Sequence, residues 1–328
     1  MALSTINNNS IADTAVHGVR NLIINGAMQV AQRSTSVTGK TTTAYHTVDR
    51  FKQYIQTMGT WSISQSTEAP SGFANSLKMD CTIADASPAS GDYVFIEQRF
   101  EGQDLQHLKK GTSSAKKLTV SFWVRSSKTG TYTFKIYDLD NTRHISKSWS
   151  ISTANTWEHK TITLDGDTSG SLGNDNGASL QIQWWLGAGS AWNDGTQDTS
   201  WAAYTQGNSL DTNQVNLADS TSNEFYLTGV QLEVGDTATP FEHRSYGDEL
   251  SRCQRYYEIY TSRSISYAPD NVNGNARMMG TFAVNKRSQP TMTASGGWVA
   301  NASVNAYEAY HNSSGNNFYP NMTADAEL

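Results

Sequence analysis

Charge is scarce in this sequence. Asp, Glu, Lys and Arg make up 16% of 328 residues, and 24 basic side chains against 30 acidic ones leave a formal net charge of -6. No overall basic field exists to hold a phosphate backbone, so nucleic acid is excluded as a general partner. Cysteine is almost missing. Cys81 and Cys253 stand far apart in segments of different character, so neither a disulfide framework nor a metal pair can be read from them. No run of about 18 apolar residues occurs, and no membrane insertion is expected. The opening MALSTINNNS lacks the basic start and apolar middle of a signal peptide. The expectation is a soluble product that reaches any extracellular place by a route other than secretion.

Helical signals are also few. Gln103 to Lys110 can form one or two turns with Leu105 and Leu108 on one face. Tyr246 to Tyr260 is the stronger case: Leu250, Cys253, Tyr257 and Tyr260 recur at helical spacing, and Asp248 and Glu249 suit the positive end of the dipole.

What is abundant is a period of two. Ile24, Gly26, Met28 and Val30 share one face of a predicted strand that begins at Asn21. Leu118, Val120, Phe122 and Val124 share another, followed by Tyr132, Phe134 and Ile136, with a hairpin suggested by Lys128 to Thr131. Leu180, Ile182, Trp184 and Leu186 alternate with Gln181 and Gln183. In residues 225–234 the phase changes near Gly229, which fits a strand covered on both sides or a bulge. Beyond residue 260, Met278, Gly280, Phe282 and Val284 alternate again, before a break at Gln289-Pro290 and a turn at Gly296-Gly297. The fold class expected is all-β: an arm at 1–20, a jelly-roll β-sandwich over 21–242, a linker helix at 243–260 and a smaller β domain over 261–328.

Enzyme motifs are wanting. Lys40 follows Gly39, but Ser34 stands where a phosphate loop needs its first glycine. The seven histidines, His144 and His159 among them, show no metal-ligand spacing. Asp138 and Asp140 share one side of a strand end, the one carboxylate pair that suggests glycoside hydrolysis; solvated strand-end charges are the simpler reading. The expectation is a protein without catalytic activity.

The blocks NLIINGAMQVAQR (21–33), FWVRSSKTGTYTFKIYD (122–138), TWEHKTITLDGDTSG (156–170) and FYLTGVQLEVGDTATPFEHRSYGDELSRCQRYYE (225–258) resemble the carbohydrate-binding-module-like domain of phage tail fibres and appendages. The resemblance covers about residues 21–260. It implies a jelly-roll sandwich within a virion, commonly a homotrimer, made in the host cytoplasm and extracellular when acting. Residues 1–20 would then hold another virion protein, and the outer parts would meet a host-surface glycan. A capsid decoration or head-fibre protein without glycan affinity is the alternative, because no long shaft precedes the sandwich.

Aromatic residues among Asn, Asp, Ser and Gly are the candidate glycan contacts, since ring faces stack on the CH-rich sides of sugars. These are Trp192, Trp201 and Tyr204 in the long segment 187–213, and Trp298, Tyr307, Tyr310 and Tyr319 in the C-terminal unit. Packing beneath the loop or in a subunit interface is the competing role. No cofactor is expected. Asp165, Asp167 and Ser169 match the first half of a calcium loop, but Asn176 stands in place of the closing glutamate, and a polar hairpin loop is the simpler assignment.

Overall fold

The computed structural model describes residues 20–261, 268–269, 276–311 and 320–328. The arm at 1–19 and Tyr319 lie outside the described residues.

The first unit is an antiparallel sandwich. Its strands are β1 (Ser36–Ala44), β2 (Lys52–Ser66), β3 (Ser76–Ile83), β4 (Tyr93–Glu101), β5 (Leu118–Ser126), β6 (Gly130–Asp138), β7 (Arg143–Ile151), β8 (Glu158–Leu164), β9 (Ala178–Ala188), β10 (Ala202–Ala203) and β11 (Glu224–Val234). Hydrogen bonding runs in the order β10-β7-β6-β9-β4-β2-β3-β11-β5-β8, with β1 also on β2. The path folds into two layers at β2. Residues 52–57 of that strand pair with β4, and residues 60–66 pair with β3. Between them Thr57 (φ 51°) and Gly59 (φ 73°) take left-handed conformations that turn the strand. The layers are therefore β7-β6-β9-β4-β2 and β2-β3-β11-β5-β8, a jelly-roll sandwich.

Apolar side chains at every second position meet between the layers. Phe122 of β5 packs edge-on to Trp184 of β9 at 5.8 Å and to Trp149 of β7 at 5.2 Å, and Tyr132 of β6 lies 5.9 Å from Phe225 of β11. Gly229 (φ 59°) marks a register shift in β11 between Thr228 and Gln231, and the strand is buried on both faces, so both features offered as alternatives for this segment are present.

Three expectations are corrected. Residues 21–31 form turns, not a strand: Asn25 (φ 63°) and Met28 (φ 57°) are left-handed, and the Asn25 side chain bonds Val30 O, Val30 N and Asp49 O from a buried position. The pair β5 and β6 is not a hairpin. Each strand belongs to a different layer, β5 with β11 and β8, β6 with β7 and β9. The helix is shorter than its periodicity suggests. It spans α1 (Tyr246–Gln254), capped by Ser245 Oγ accepting from Asp248 N, after which the chain enters β12 (Tyr257–Tyr260). The turn near residue 105 is a 3-10 helix, Gly102–Leu108, with Leu105 and Leu108 buried as expected.

The second unit opens with β12 and continues with β13 (Ala268–Pro269), β14 (Ala276–Thr281), β15 (Thr291–Ala294), β16 (Val299–Ala302), β17 (Ala306–His311) and β18 (Met322–Asp325). Two small sheets, β12-β18-β15 and β13-β14-β17-β16, enclose Tyr260, Met278, Phe282, Trp298, Tyr307 and Met322. Residues after β18 return to the sandwich. Glu327 pairs with Arg33 at 3.4 Å and with Arg50, whose guanidinium lies 3.4 Å from the centre of the Tyr256 ring. At the same seam Arg255 donates twice to Glu101, at 2.8 and 2.6 Å, and Tyr256 Oη donates to it at 2.6 Å. Among the described residues no helix is long and apolar enough to cross a membrane.

Candidate functional site

In β4, β9 and β6 the residues that alternate with the core point to the outer face of the β2-β4-β9-β6-β7 layer, and strand register aligns them in rows. Tyr54, Phe95, Trp185 and Thr133 form one row across β2, β4, β9 and β6. Lys52, Glu97, Gln183, Lys135 and Ser146 form the next, and Arg99, Gln181, Tyr137 and His144 the third. Aromatic, charged and polar side chains thus lie in parallel bands on one sheet face.

The aromatic row is tightly built. Tyr54 and Phe95 stack with ring centres 4.6 Å apart, Phe95 and Trp185 are 4.5 Å apart, and Trp192 lies 5.0 Å from Trp185 and 5.1 Å from Tyr93. Together with Leu210 they make an apolar cluster separate from the main core. Phe95 and Trp185 are buried, whereas Tyr54, Tyr93 and Trp192 are half-buried and present ring surface.

The segment 189–213 supplies the wall. It folds over its own sheet rather than standing free: Asp211 N bonds Thr133 Oγ1, Ser148 Oγ bonds Asp211 Oδ2, Ser146 N bonds Asp198 O, and β10 pairs with β7. The result is a cleft of about 180 Å³ between loop and sheet, lined by Tyr54, Tyr93, Arg99, Lys135, Gln181 and Trp192 among others.

Lys135 is the unusual group in that cleft. Its side chain is buried, its amine donates to Ser209 Oγ at 3.0 Å, and the rings of Tyr204, Tyr137 and Trp185 surround it at 4.7, 5.5 and 5.6 Å. Desolvation pushes its pKa down to about 7, against a weaker upward pull from Glu97. His144 is held below the usual histidine range by burial and by Lys135, which outweigh its 2.8 Å contact with Asp198. Among the described residues, Gln181 Oε1 in the cleft wall is buried without a hydrogen-bond partner, as is Nδ1 of His144, whose ring lies 5.2 Å from that of Tyr204.

Of the sequence candidates, Trp192 and Tyr204 meet in this cleft. Trp201 does not: it packs against the main core, and its indole N–H donates to Asp165 O at 2.7 Å. Trp298 and Tyr307 are each no more than 7% exposed and fill the space between the two small sheets, the packing role named as the alternative to glycan contact. Tyr310 is half-buried on β17, opposite Val299. Tyr54, Tyr93, Arg99 and Lys135 are not among the sequence candidates, and Gln181 enters there only as a polar position alternating with the core of its strand. The available signal was Trp185, an aromatic in the same phase as Gln181 and Gln183.

The acidic candidates meet cations of the chain itself. Lys110 Nζ lies 2.5 Å from Asp138 and 3.1 Å from Asp167, and donates to Ser169 O and Gly170 O at 2.9 Å. Arg143 adds two hydrogen bonds to Asp167. Burial alone would raise the Asp167 pKa, but the bonds from Arg143, Ser169 N and Lys110 hold it below the usual range. The calcium-like loop therefore wraps an ammonium, while Asp165 pairs outside it with Lys117 at 3.2 Å. Asp138 also accepts from Asp140 N, Asn141 N and Asn141 Nδ2, fixing the β6-β7 turn, and Asp140 caps Gly173 N.

No protein-family model matches the chain, and no curated protein sequence does. Among solved structures it is similar to the enzymatically active domain of tailspike protein 4 of bacteriophage CBA120, with 12% identity over 65% of this chain and a TM-score of 0.32. The match spans about a fifth (21%) of the tailspike chain. It is similar also to the family 11 carbohydrate-binding module from Clostridium thermocellum in complex with a β-1,3-1,4-mixed-linked tetrasaccharide (13% identity, 58% of this chain, 91% of that one, TM-score 0.31). A third is TmCBM61 in complex with β-1,4-galactotriose (9% identity, 66% and 99%, TM-score 0.32). These likenesses are low, and the jelly roll is established by the chain's own strand order. The cleft is argued from its own residues.

Proposed function

We propose that the outer-face cleft binds a saccharide, and that the chain is a structural and receptor-binding component of a phage particle that attaches to host-surface glycans without turning them over. The observation that carries the saccharide reading is the set of half-buried rings Tyr54, Tyr93 and Trp192, held in place by the buried Phe95 and Trp185, beside Gln181. Half-buried rings offer an apolar face to a pyranose, and neighbouring amides meet its hydroxyls. The sequence resemblance supports the particle assignment, a homotrimer, and attachment to another particle protein through residues 1–20. Binding without hydrolysis agrees with Asp138 and Asp140 being engaged in holding turns. Binding without metal agrees with Lys110 and Arg143 occupying the acids of the calcium-like loop.

The test is a bacterial glycan array followed by titration calorimetry on the full chain, with Trp192→Ala and Tyr93→Ala beside the wild type. Removing an aromatic anchor of a small site lowers affinity by about tenfold or more, while melting temperature should barely move because both side chains are half-exposed. Wild-type affinity in Trp192→Ala, or no glycan bound by the intact protein, defeats the reading. The second result would favour a decoration role in the particle.

A further inference from the structure

We propose that the cleft selects an acidic saccharide, with the sugar carboxylate placed against Lys135 and the remaining hydroxyls against Gln181 and the aromatic row; this rests on the saccharide reading above. The argument begins with charge. Lys52, Arg99 and Lys135 stand in two adjacent rows with one acid, Glu97, so cations exceed acids locally by two (three against one) on a protein whose formal net charge is -6. Glu97 does not neutralise Lys135. Its two oxygens accept from Arg99 Nε at 2.6 Å and Gln183 Nε2 at 3.1 Å.

The amine itself is under-used. An ammonium has three donors, and the single hydrogen bond of Lys135 among the described residues goes to a neutral hydroxyl, Ser209 Oγ. Burying a charge without a counter-ion is costly, and a bound carboxylate would supply the missing partner. Gln181 provides the second, independent sign: among the described residues its side-chain oxygen is buried with no hydrogen-bond partner, and the residue lines the cleft. An amide can donate or accept according to its orientation, so it suits a hydroxyl on the same ligand.

The pH response follows from the groups around the amine. Facing Lys135 are Glu97 and Arg99 from β4, Tyr54 from β2, Tyr137 from β6, His144 and its partner Asp198, and Tyr204 from the loop. Burial holds Tyr54 and Tyr204 above, and His144 below, their ordinary ranges. Lys135, brought to about 7, is thus the group that changes charge between pH 6 and 8.5. A sugar carboxylate stays ionised throughout that window.

The experiment titrates the full chain with oligogalacturonate and oligoglucuronate, each beside its carboxyl-reduced neutral counterpart, at pH 6 and 8.5 in dilute salt. At least one acid oligomer should bind about tenfold or more tightly than its neutral form at pH 6, and that ratio should shrink at least threefold at pH 8.5. Lys135→Met should bring the ratio to within threefold at both values. The pH series on the unaltered protein needs no variant to fold. Equal affinity for acid and neutral forms, or a preference that survives in Lys135→Met, overturns the proposal. Binding of neutral glycans with no binding of either acid also overturns it but leaves the saccharide reading standing; no binding of any glycan removes both.

Discussion

Lys135 shows how burying a single amine costs stability. Its folded pKa of about 7 lies below the ordinary lysine value of 10.5. Between those values the unfolded chain carries a proton that the folded chain has released, so stability rises with pH through the window and the full cost is felt below 7. Lys135→Met should therefore stabilise the protein by roughly 2–4 kcal/mol at pH 6, with the gain vanishing by pH 10.5, as read from urea unfolding at several pH values. Lys110 has the opposite standing, because its ammonium is surrounded by carboxylates and carbonyls. Lys110→Ala should cost about 3–5 kcal/mol by leaving Asp138 and Asp167 buried beside fewer cations. Removing calcium with a chelator should change neither melting temperature nor glycan affinity; a clear drop in either would restore the metal reading of Asp165, Asp167 and Ser169.

Elements depend on a few residues that permit unusual backbone or join strands. At Gly229 a Cβ would meet Phe73 Cζ at 2.7 Å and Trp123 Cδ1 at 2.9 Å, in a left-handed conformation. Gly229→Ala should then lose about 1–3 kcal/mol in chemical denaturation, through strain at the β11 bulge. β9 and the turn holding Leu105 and Leu108 are legible in the sequence because each hides apolar side chains on one periodic face, and the bulge because the apolar phase changes at Gly229. Residues 21–31 carry the same period without being a strand, since buried Asn25 satisfies the backbone there in place of a neighbouring strand. The segment joining β5 and β6 resembles a hairpin turn locally, yet layer membership is decided by distant partners such as β9 and β11. The cleft is the least legible part. Its residues come from β2, β4, β6, β9 and a loop, all in the polar phase that strand patterning discards, and only the register brings Tyr54, Phe95 and Trp185 into line. Trp192 and Tyr204 stand out in the sequence as aromatics of a long loop, and they lie in the cleft; Trp298 and Tyr307 stand out equally, but a small unit buries its aromatics among polar neighbours, which composition does not reveal.

At the scale of the whole molecule the two units are joined by charge. Glu101 is buried and accepts from Arg255 and Tyr256; burial opposes ionisation, but these bonds outweigh it and lower its pKa below the usual 4.5. Such a group contributes stability above the unfolded carboxylate pKa and loses it as pH falls through the folded value. Glu101→Ala should cost about 2–3 kcal/mol at neutral pH, and calorimetry should show the C-terminal unit melting ahead of the sandwich. The layers of the sandwich have a different coupling. A single strand, β2, belongs to both through its turn at Thr57 and Gly59, so one backbone runs through the two sheets and parting them must break the pairing of β2 with β4 or with β3. Pulled from its two ends in a single-molecule force experiment, the sandwich is therefore expected to fail as one body, with a single rupture event rather than a stepwise peeling of sheets.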